Sequence, residues 1–415
     1  MFRRFWLDVI LGTVFIFGLM GLLSSLTAFK VFDIMDPIGE AFSDMEFTDV
    51  YFSQLLDDPI ADQDVVLVNI GTETRAGIAM MVDSISQYNP AVIGMDTFFH
   101  FPKEDTIGDL MLMEALGRVE NLVMVTKVMH NIETDEFDSL VTSWPMFTWN
   151  SDSAHANLVT DAGVQEDLKM CRMFTPVLTL EDGTEQQAFA VRLASYFAPE
   201  KVDKFLEEAK DEEVVNYRGN VLDYGATKFG TKFAALDVPD VFLQNYVPEM
   251  IEGKVIIFCY LGKYLGDRES LEDKYFTPLN ETYIGRAFPD MYGGVVHANI
   301  VSMILSEDYI TYLSEVQKWV LTILILFVNI MTFSWIYKKL PKWYDGVTKL
   351  IQLVELIGLI YIMIYMLDLY NLKLDLTILL FAIALSGDGL EVYYGVVKNA
   401  LSREGRRELF RVSRL

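Results

Sequence analysis

Residues Val65–Phe99 read VVLVNIGTETRAGIAMMVDSISQYNPAVIGMDTFF, and the order of patterns in this stretch decides the fold. Val65–Ile70 (VVLVNI) is a near-continuous apolar run, which fits a strand covered on both faces better than one with a wet face. Ile78, Met81, Val82 and Ile85 then recur at the three- and four-residue spacing of one helix face. Asn89-Pro90 breaks that helix, and Ala91–Phe99 (AVIGMDTFF) predicts a second strand. Moving outward, Ile107, Leu110, Leu112, Ala115 and Leu116 predict another helix, and Asn121–Val128 (NLVMVTKV) a third strand. Strand, helix, strand, helix, strand predicts an α/β fold with a mainly parallel sheet and covering helices.

The pattern changes further along. Phe174–Leu180 and Gln187–Val191 flank Glu181-Asp182-Gly183-Thr184, whose glycine suits the turn of a hairpin. A Glu/Lys-rich stretch predicts a helix over Pro199–Glu212. A strand at Glu213–Tyr217, a helix at Val238–Tyr246 and a strand at Lys254–Tyr260 follow. Gly294–Leu305 (GVVHANIVSMIL) predicts a helix leading with little slack into an apolar span. No internal repeat or long low-complexity linker interrupts residues 30–315, so they are expected to form one compact domain.

Four apolar segments frame that domain. Trp6–Phe29 (WLDVILGTVFIFGLMGLLSSLTAF) carries one charge, Asp8. Its length, about 24 residues or roughly 36 Å of helix, suffices to cross a hydrocarbon core of about 30 Å. A secretory signal peptide also places basic residues before an apolar run, and Ser25–Ala28 imitates a cleavage site. Such peptides have an apolar core of only about 7–15 residues, so an uncleaved anchor is expected. Val316–Tyr337, Leu350–Leu367 and Leu374–Val397 predict three further spans, the last two carrying acid. Arg3 and Arg4 precede the first span. Lys338, Lys339, Lys342 and Lys349 lie between the second and third, and Lys398, Arg403, Arg406, Arg407, Arg411 and Arg414 lie in the tail. The positive-inside rule then puts both termini in the cytoplasm and residues 30–315 outside. The expected organisation is residues 1–29 as cytoplasmic end and first span, 30–315 as the extracytoplasmic domain, 316–397 as three spans, and 398–415 as a short basic tail.

The formal net charge of −26 belongs to the outer domain, because the short cytoplasmic pieces are basic. A surface that acidic repels nucleic acid and anionic lipid head groups, so neither is expected to bind that domain. His100, His130, His155 and His297 are the chain's histidines, and none lies in a Gly-x-Ser-x-Gly or His-Glu-x-x-His setting. No Walker or dinucleotide glycine pattern is present. No catalytic residue, metal or cofactor is therefore expected. Cys171 and Cys259 leave two readings open, a disulfide or two separately buried thiols. The apolar run KVIIFCY around Cys259 favours the second.

Several motifs, in this order, resemble one family. They are Gly94-x-Asp96-x-x-Phe99; His155-Ala-Asn157 with Asp161-x-Gly163 and Arg172; Asn216-Tyr217-Arg218-Gly219; and Gly253-Lys254-Val255-Ile256-Ile257. The closing set is Gly266-Asp267, Asp273-x-x-x-Thr277-Pro278, and Gly294-Val295-Val296-His297-Ala298-Asn299. Over residues 30–395 the chain resembles the CHASE-two family, the second class of cyclase- and histidine-kinase-associated extracellular sensory domains. The resemblance implies one span before the sensor and three after it, in the inner membrane of a double-membrane bacterium with the sensor in the periplasm. That family usually continues into a kinase or cyclase. Residues 398–415 are too few to bury a core, so signalling through a separate protein partner is expected.

In a parallel α/β sheet, ligands bind beyond the carboxyl ends of the strands. Thr72 and Glu73, Asp96 and Asp267 follow such ends, and His297 and Asn299 open a helix able to close over them. These six are the candidate ligand-binding residues. The alternative is that Asp96, Asp267, His297 and Asn299 form a buried polar network serving backbone groups. Within the spans, Glu355 and Asp388 are expected to make helix–helix contacts, inside the bundle or to a protein partner or second copy, rather than an ion path.

Overall fold

The structure is a computed structural model that describes residues 2–25, 49, 51–56, 61–131, 136–159, 170–222, 232–280 and 288–398. The chain divides into two compact units: Thr48–Ile310, built on a sheet, and Met1–Phe47 with Thr311–Leu415, built on helices.

The sheet unit opens with β1 (Val65–Asn69), α2 (Arg75–Ser86), β2 (Val92–Asp96), α3 (Thr106–Arg118) and β3 (Leu122–Asn131), α1 being the N-terminal helix of the other unit. β4 (Glu136–Val141), β5 (Asp152–His155), β6 (Ala234–Leu236) and β7 (Val255–Cys259) complete a seven-stranded sheet. Its order is β6-β1-β7-β2-β3-β4, with β5 also paired to β3. All pairings are parallel except the β3–β4 pair. The mixed α/β fold with a largely parallel sheet is therefore present. β1 and β7 are buried at every position, as unbroken apolar runs require.

Alternation along the strands assigns the two faces. Val66, Val68, Ile93, Met95, Met124, Ile256 and Phe258 pack with Ile78, Met81, Val82 and Ile85 of α2 and with Leu112, Ala115 and Leu116 of α3. On the other face, Phe189 and Leu193 of α4 (Phe189–Phe197) lie over Gly94, where a Cβ would come within 2.6 and 2.8 Å of them. α5 (Pro199–Glu208) follows, and α6 (Gly293–Ser306) is buried from Gly293 to Leu305.

The hairpin forms, but its second arm is Glu185–Gln187 rather than Gln187–Val191. Phe189, Ala190, Val191, Leu193 and Ala194 instead bury one face of α4, because their spacing fits 3.6 residues per turn. The helix expected over Pro199–Glu212 stops at Glu208, and the strand after it is the two-residue Glu213–Val214. Only Val238–Phe242 of the helix expected at Val238–Tyr246 forms. Cys171 and Cys259 are free thiols, both buried.

The helical unit holds α1 (Phe2–Ser25), α7 (Glu315–Lys339), α8 (Tyr344–Tyr370) and α9 (Thr377–Val392, continued as a π-helical turn to Val397). These four helices are long and apolar enough to cross a membrane. Val9, Ile16, Leu326, Ile330, Phe333, Ala382 and Leu390 form their shared core. Gly389 admits α1: a Cβ there would fall 2.2 Å from Ile16 Cδ1. Thr311–Tyr312, just ahead of α7, pairs in parallel with Leu372–Lys373 in the turn between α8 and α9. Lys318 adds ion pairs to Glu315 and Asp375 at that end. The tail beyond Lys398, like Asp161 and Gly163, lies outside the described residues.

Candidate functional site

Three strand ends meet at one level. Asn69 closes β1, Cys259 closes β7 and Asp96 closes β2, and the pairing register sets them side by side. What each does there differs.

Asn69 is fully buried and ties the loops down. Its amide donates to Asp237 Oδ1 (2.9 Å) and the Gly262 carbonyl (3.2 Å), while its Oδ1 accepts from Gly71 N (3.0 Å) and Leu261 N (2.8 Å). Asp237 in turn accepts from Leu265 N (3.0 Å) and caps the short helix Val238–Phe242. Gly262 adopts φ of +99°, and a Cβ on it would crowd the Tyr292 hydroxyl and Asp267. The crest over β1 and β7 is thereby closed by its own hydrogen bonds.

Asp96 stands in a different setting. Its carboxylate lies beside Gly294 at the amino end of α6, where a Cβ would sit 3.4 Å from Oδ2 and only 2.5 Å from Cys259 Cβ and Sγ. Gly293 stands against the Asp273 carboxylate and donates its N–H to the Asp273 carbonyl (3.0 Å). Burial, with the charge of Asp273 added, pushes Asp96 up to about 8. Near neutral pH it is therefore a carboxylic acid, able to donate a hydrogen bond. The same burial, Asp96 and Asp273 push the Cys259 thiol well up, so it is inert as a nucleophile.

The loop after Asp96 is held rigidly. Arg75, on α2, pairs with Asp109 of α3 in a buried ion pair, and its guanidinium donates to the Phe101 carbonyl (2.6 Å). It also lies 4.9 Å over the Phe147 ring and 5.7 Å over Phe99. Asp109 accepts from Lys103 N (2.7 Å) as well. Burial alone would raise the Asp109 carboxyl, but Arg75 and the Lys103 amide hold it below its usual range.

The other expected ligand residues take separate places. Asp267 is buried and accepts from the amides of Glu269 (3.0 Å), Ser270 (3.3 Å) and Lys263 (3.4 Å). Burial raises its carboxyl, but those amides outweigh burial and keep it low. Its carbonyl receives the hydroxyl of Tyr292, the residue just ahead of α6 (3.4 Å). Asn299 clamps the Arg218-Gly219 backbone: Oδ1 accepts from Arg218 N (2.8 Å), and the amide donates to the Gly219 carbonyl (3.0 Å). His297 is buried edge-on to Phe189 (5.3 Å), and its Nδ1 has no partner among the described residues. Burial and the neighbouring His155 push it down to about 3, and burial takes His155 down to about 4. Thr72 is exposed, and Glu73 folds over Gly77 in the first turn of α2. Asp96 thus stands at the amino end of α6, Asp267 holds its own loop, His297 and Asn299 lie deeper along α6, and Thr72 and Glu73 stay with the β1 loop.

Asn69 and the Arg75–Asp109 pair were not picked out from the sequence, and Asp273 figured only in a family motif, not as a site residue. Asn69 had a readable signal, a lone amide inside an apolar strand. In the helical unit, Glu355 accepts from Asn329 of α7 (2.9 Å), and Asp388 pairs with Lys349 of α8 (2.6 Å). Each acid contacts a neighbouring helix. Among the described residues, no group of three or more His, Cys, Asp or Glu is arranged to hold a metal ion.

A family model described as CHASE2 domain matches residues 37–332 of this chain. No curated protein and no solved structure matches it.

Proposed function

The chain belongs to the CHASE2 domain family of sensory domains, and from that premise we propose that it is a membrane-embedded sensor without catalysis of its own. The sheet unit faces the periplasm, both termini are cytoplasmic, and one span precedes the sensor while three follow it in the inner membrane. The sensor receives an extracytoplasmic ligand or protein and passes its state to a separate partner through the helices and the basic tail, residues 398–415.

The observation that carries this reading is the course of α6. Its first residues, Gly293 and Gly294, pack on Asp273, Asp96 and Cys259 at the strand ends. Its last, Ser306, is separated from α7 only by residues 307–314. A ligand that engages the Asp96 carboxyl or moves the start of α6 acts on the element that continues into a span. The pairing of Thr311–Tyr312 with Leu372–Lys373 extends that effect to α8 and α9. Lys338, Lys339, Lys342, Lys349 and Lys398 gather at the opposite helix ends, which supports the orientation.

A second reading has its own support. Asn69, Asp267 and Asn299 spend their polar groups on backbone, as a scaffold subunit of an envelope complex with no small ligand would. Mild-detergent affinity purification separates the outcomes, comparing the full chain with one ending at Val397. The sensor reading expects a stoichiometric partner that is lost with the tail. A partner retained without the tail favours the scaffold, and no partner in either sample counts against both.

A further inference from the structure

α1, the end of α7 and the π turn after α9 meet around Asp8. This carboxylate is 6% exposed, and its Oδ2 accepts from two ammonium groups, Lys338 (2.8 Å) and Lys398 (2.7 Å). One lysine neutralises a carboxylate, so the second leaves the cluster with a net positive charge. Aromatic rings wall it: Lys338 Nζ lies 4.8 Å from the Phe5 ring, and Lys398 Nζ 4.8 Å from that of Tyr394. The two lysine side chains nevertheless keep 38% and 42% of their exposure. An ammonium carries three N–H groups, and Asp8 takes only one from each.

We propose that this notch seats the phosphate of an anionic phospholipid headgroup. A surplus cation, half-open at the ends of three apolar helices, needs an acceptor that resides at that depth, and lipid phosphate is one. The aromatic walls suit the headgroup level, where amphipathic rings settle. The lysine-rich helix ends place the notch at the cytoplasmic leaflet, where anionic lipid attracts basic residues. The proposal rests on the membrane reading above, and its test keeps the two apart.

The full chain in mixed micelles is titrated with phosphatidylglycerol and, separately, phosphatidylcholine, with bound lipid counted by native mass spectrometry. Phosphatidylglycerol should bind more tightly. Asp8→Asn with Lys338→Gln and Lys398→Gln, which leaves no buried charge unpaired and removes the one surplus charge, should weaken it about fivefold. Lys339→Gln removes the same one net charge at that end but outside the notch, and should weaken it less than about twofold. Asp8→Asn alone keeps both lysines and should bind no more weakly, which guards against a triple variant that fails to fold. Equal losses in the triple and the control would mean a diffuse field and would overturn the proposal. So would a wild type that does not prefer phosphatidylglycerol, or inorganic phosphate that displaces it at equal concentration. A chain that resists alkaline carbonate extraction but ignores the triple substitution sinks only this proposal, whereas a chain released by carbonate sinks the membrane reading too.

Discussion

Replacing Asp96 by Asn should change how the stability of the sheet unit depends on pH. In the folded chain Asp96 is raised to about 8 from an ordinary 3.8, by burial and by Asp273. Between those values the unfolded chain has released the proton while the folded chain retains it. The contribution of Asp96 to stability is therefore complete at low pH and is lost as pH rises through this window, by about 1.4 kcal/mol per unit. Asparagine resembles the protonated acid and does not titrate. Relative to wild type, Asp96→Asn should gain about 3 kcal/mol between pH 5 and pH 7. The chain's own thiols supply the assay. Its two cysteines, Cys171 and Cys259, are both buried in this unit, so a short thiol-labelling pulse along a urea titration reports its opening and not that of the helices. The full-length protein in mild detergent is compared with the variant at pH 5, 6 and 7. A difference that stays flat or shrinks as pH rises would mean that Asp96 is ionised in the fold. The amino end of α6, which favours a negative charge, would then outweigh burial, and the account of the site given above would be wrong.

His297→Phe should act in the opposite direction. His297 falls to about 3 from 6.5, so its contribution is present above pH 6.5 and lost as pH drops toward 3; the variant should gain about 1.4 kcal/mol per unit on wild type below pH 6.5 in the same assay. Arg75→Met strands the Asp109 carboxylate in the core and should cost about 3–5 kcal/mol, whereas Arg75→Met with Asp109→Leu should recover most of that in the urea midpoint. A double variant no better than the single would assign the loss to the Phe101 carbonyl or the ring contacts. Thr311→Cys with Leu372→Cys should cross-link under mild oxidation, since the two are paired in register; a pair that stays reduced while the protein remains folded would refute the pinning of residues 311–312.

The buried strands were legible because an unbroken run such as VVLVNI or KVIIFCY has no wet face to alternate with. α4 was not. Its first residues, Phe189-Ala190-Val191, have the short apolar look of a strand, and only Leu193 and Ala194 fix the helical period. β6 is three residues at a sheet edge, too short to signal itself. Asp96 was readable as the polar residue ending a strand, yet its meeting with Asp273 depends on a chain reversal far along the sequence. The acids in the helices were conspicuous for the same reason that Asp8 was, a lone charge in an apolar run. Their partners Asn329, Lys349, Lys338 and Lys398 are set by helix packing, which local pattern does not encode.

β7 occupies the middle of the sheet, between β1 and β2, yet it is the last of the seven strands in the chain. A nascent domain therefore presents β1 and β2 with a gap between them until residue 259 has been made. Their exposed backbone edges are competent to pair with any other strand during that interval. Residues 260–314, α6 among them, then separate the completed sheet from the start of α7. Protection of the β1 and β2 edges until β7 arrives is the need this chain order creates.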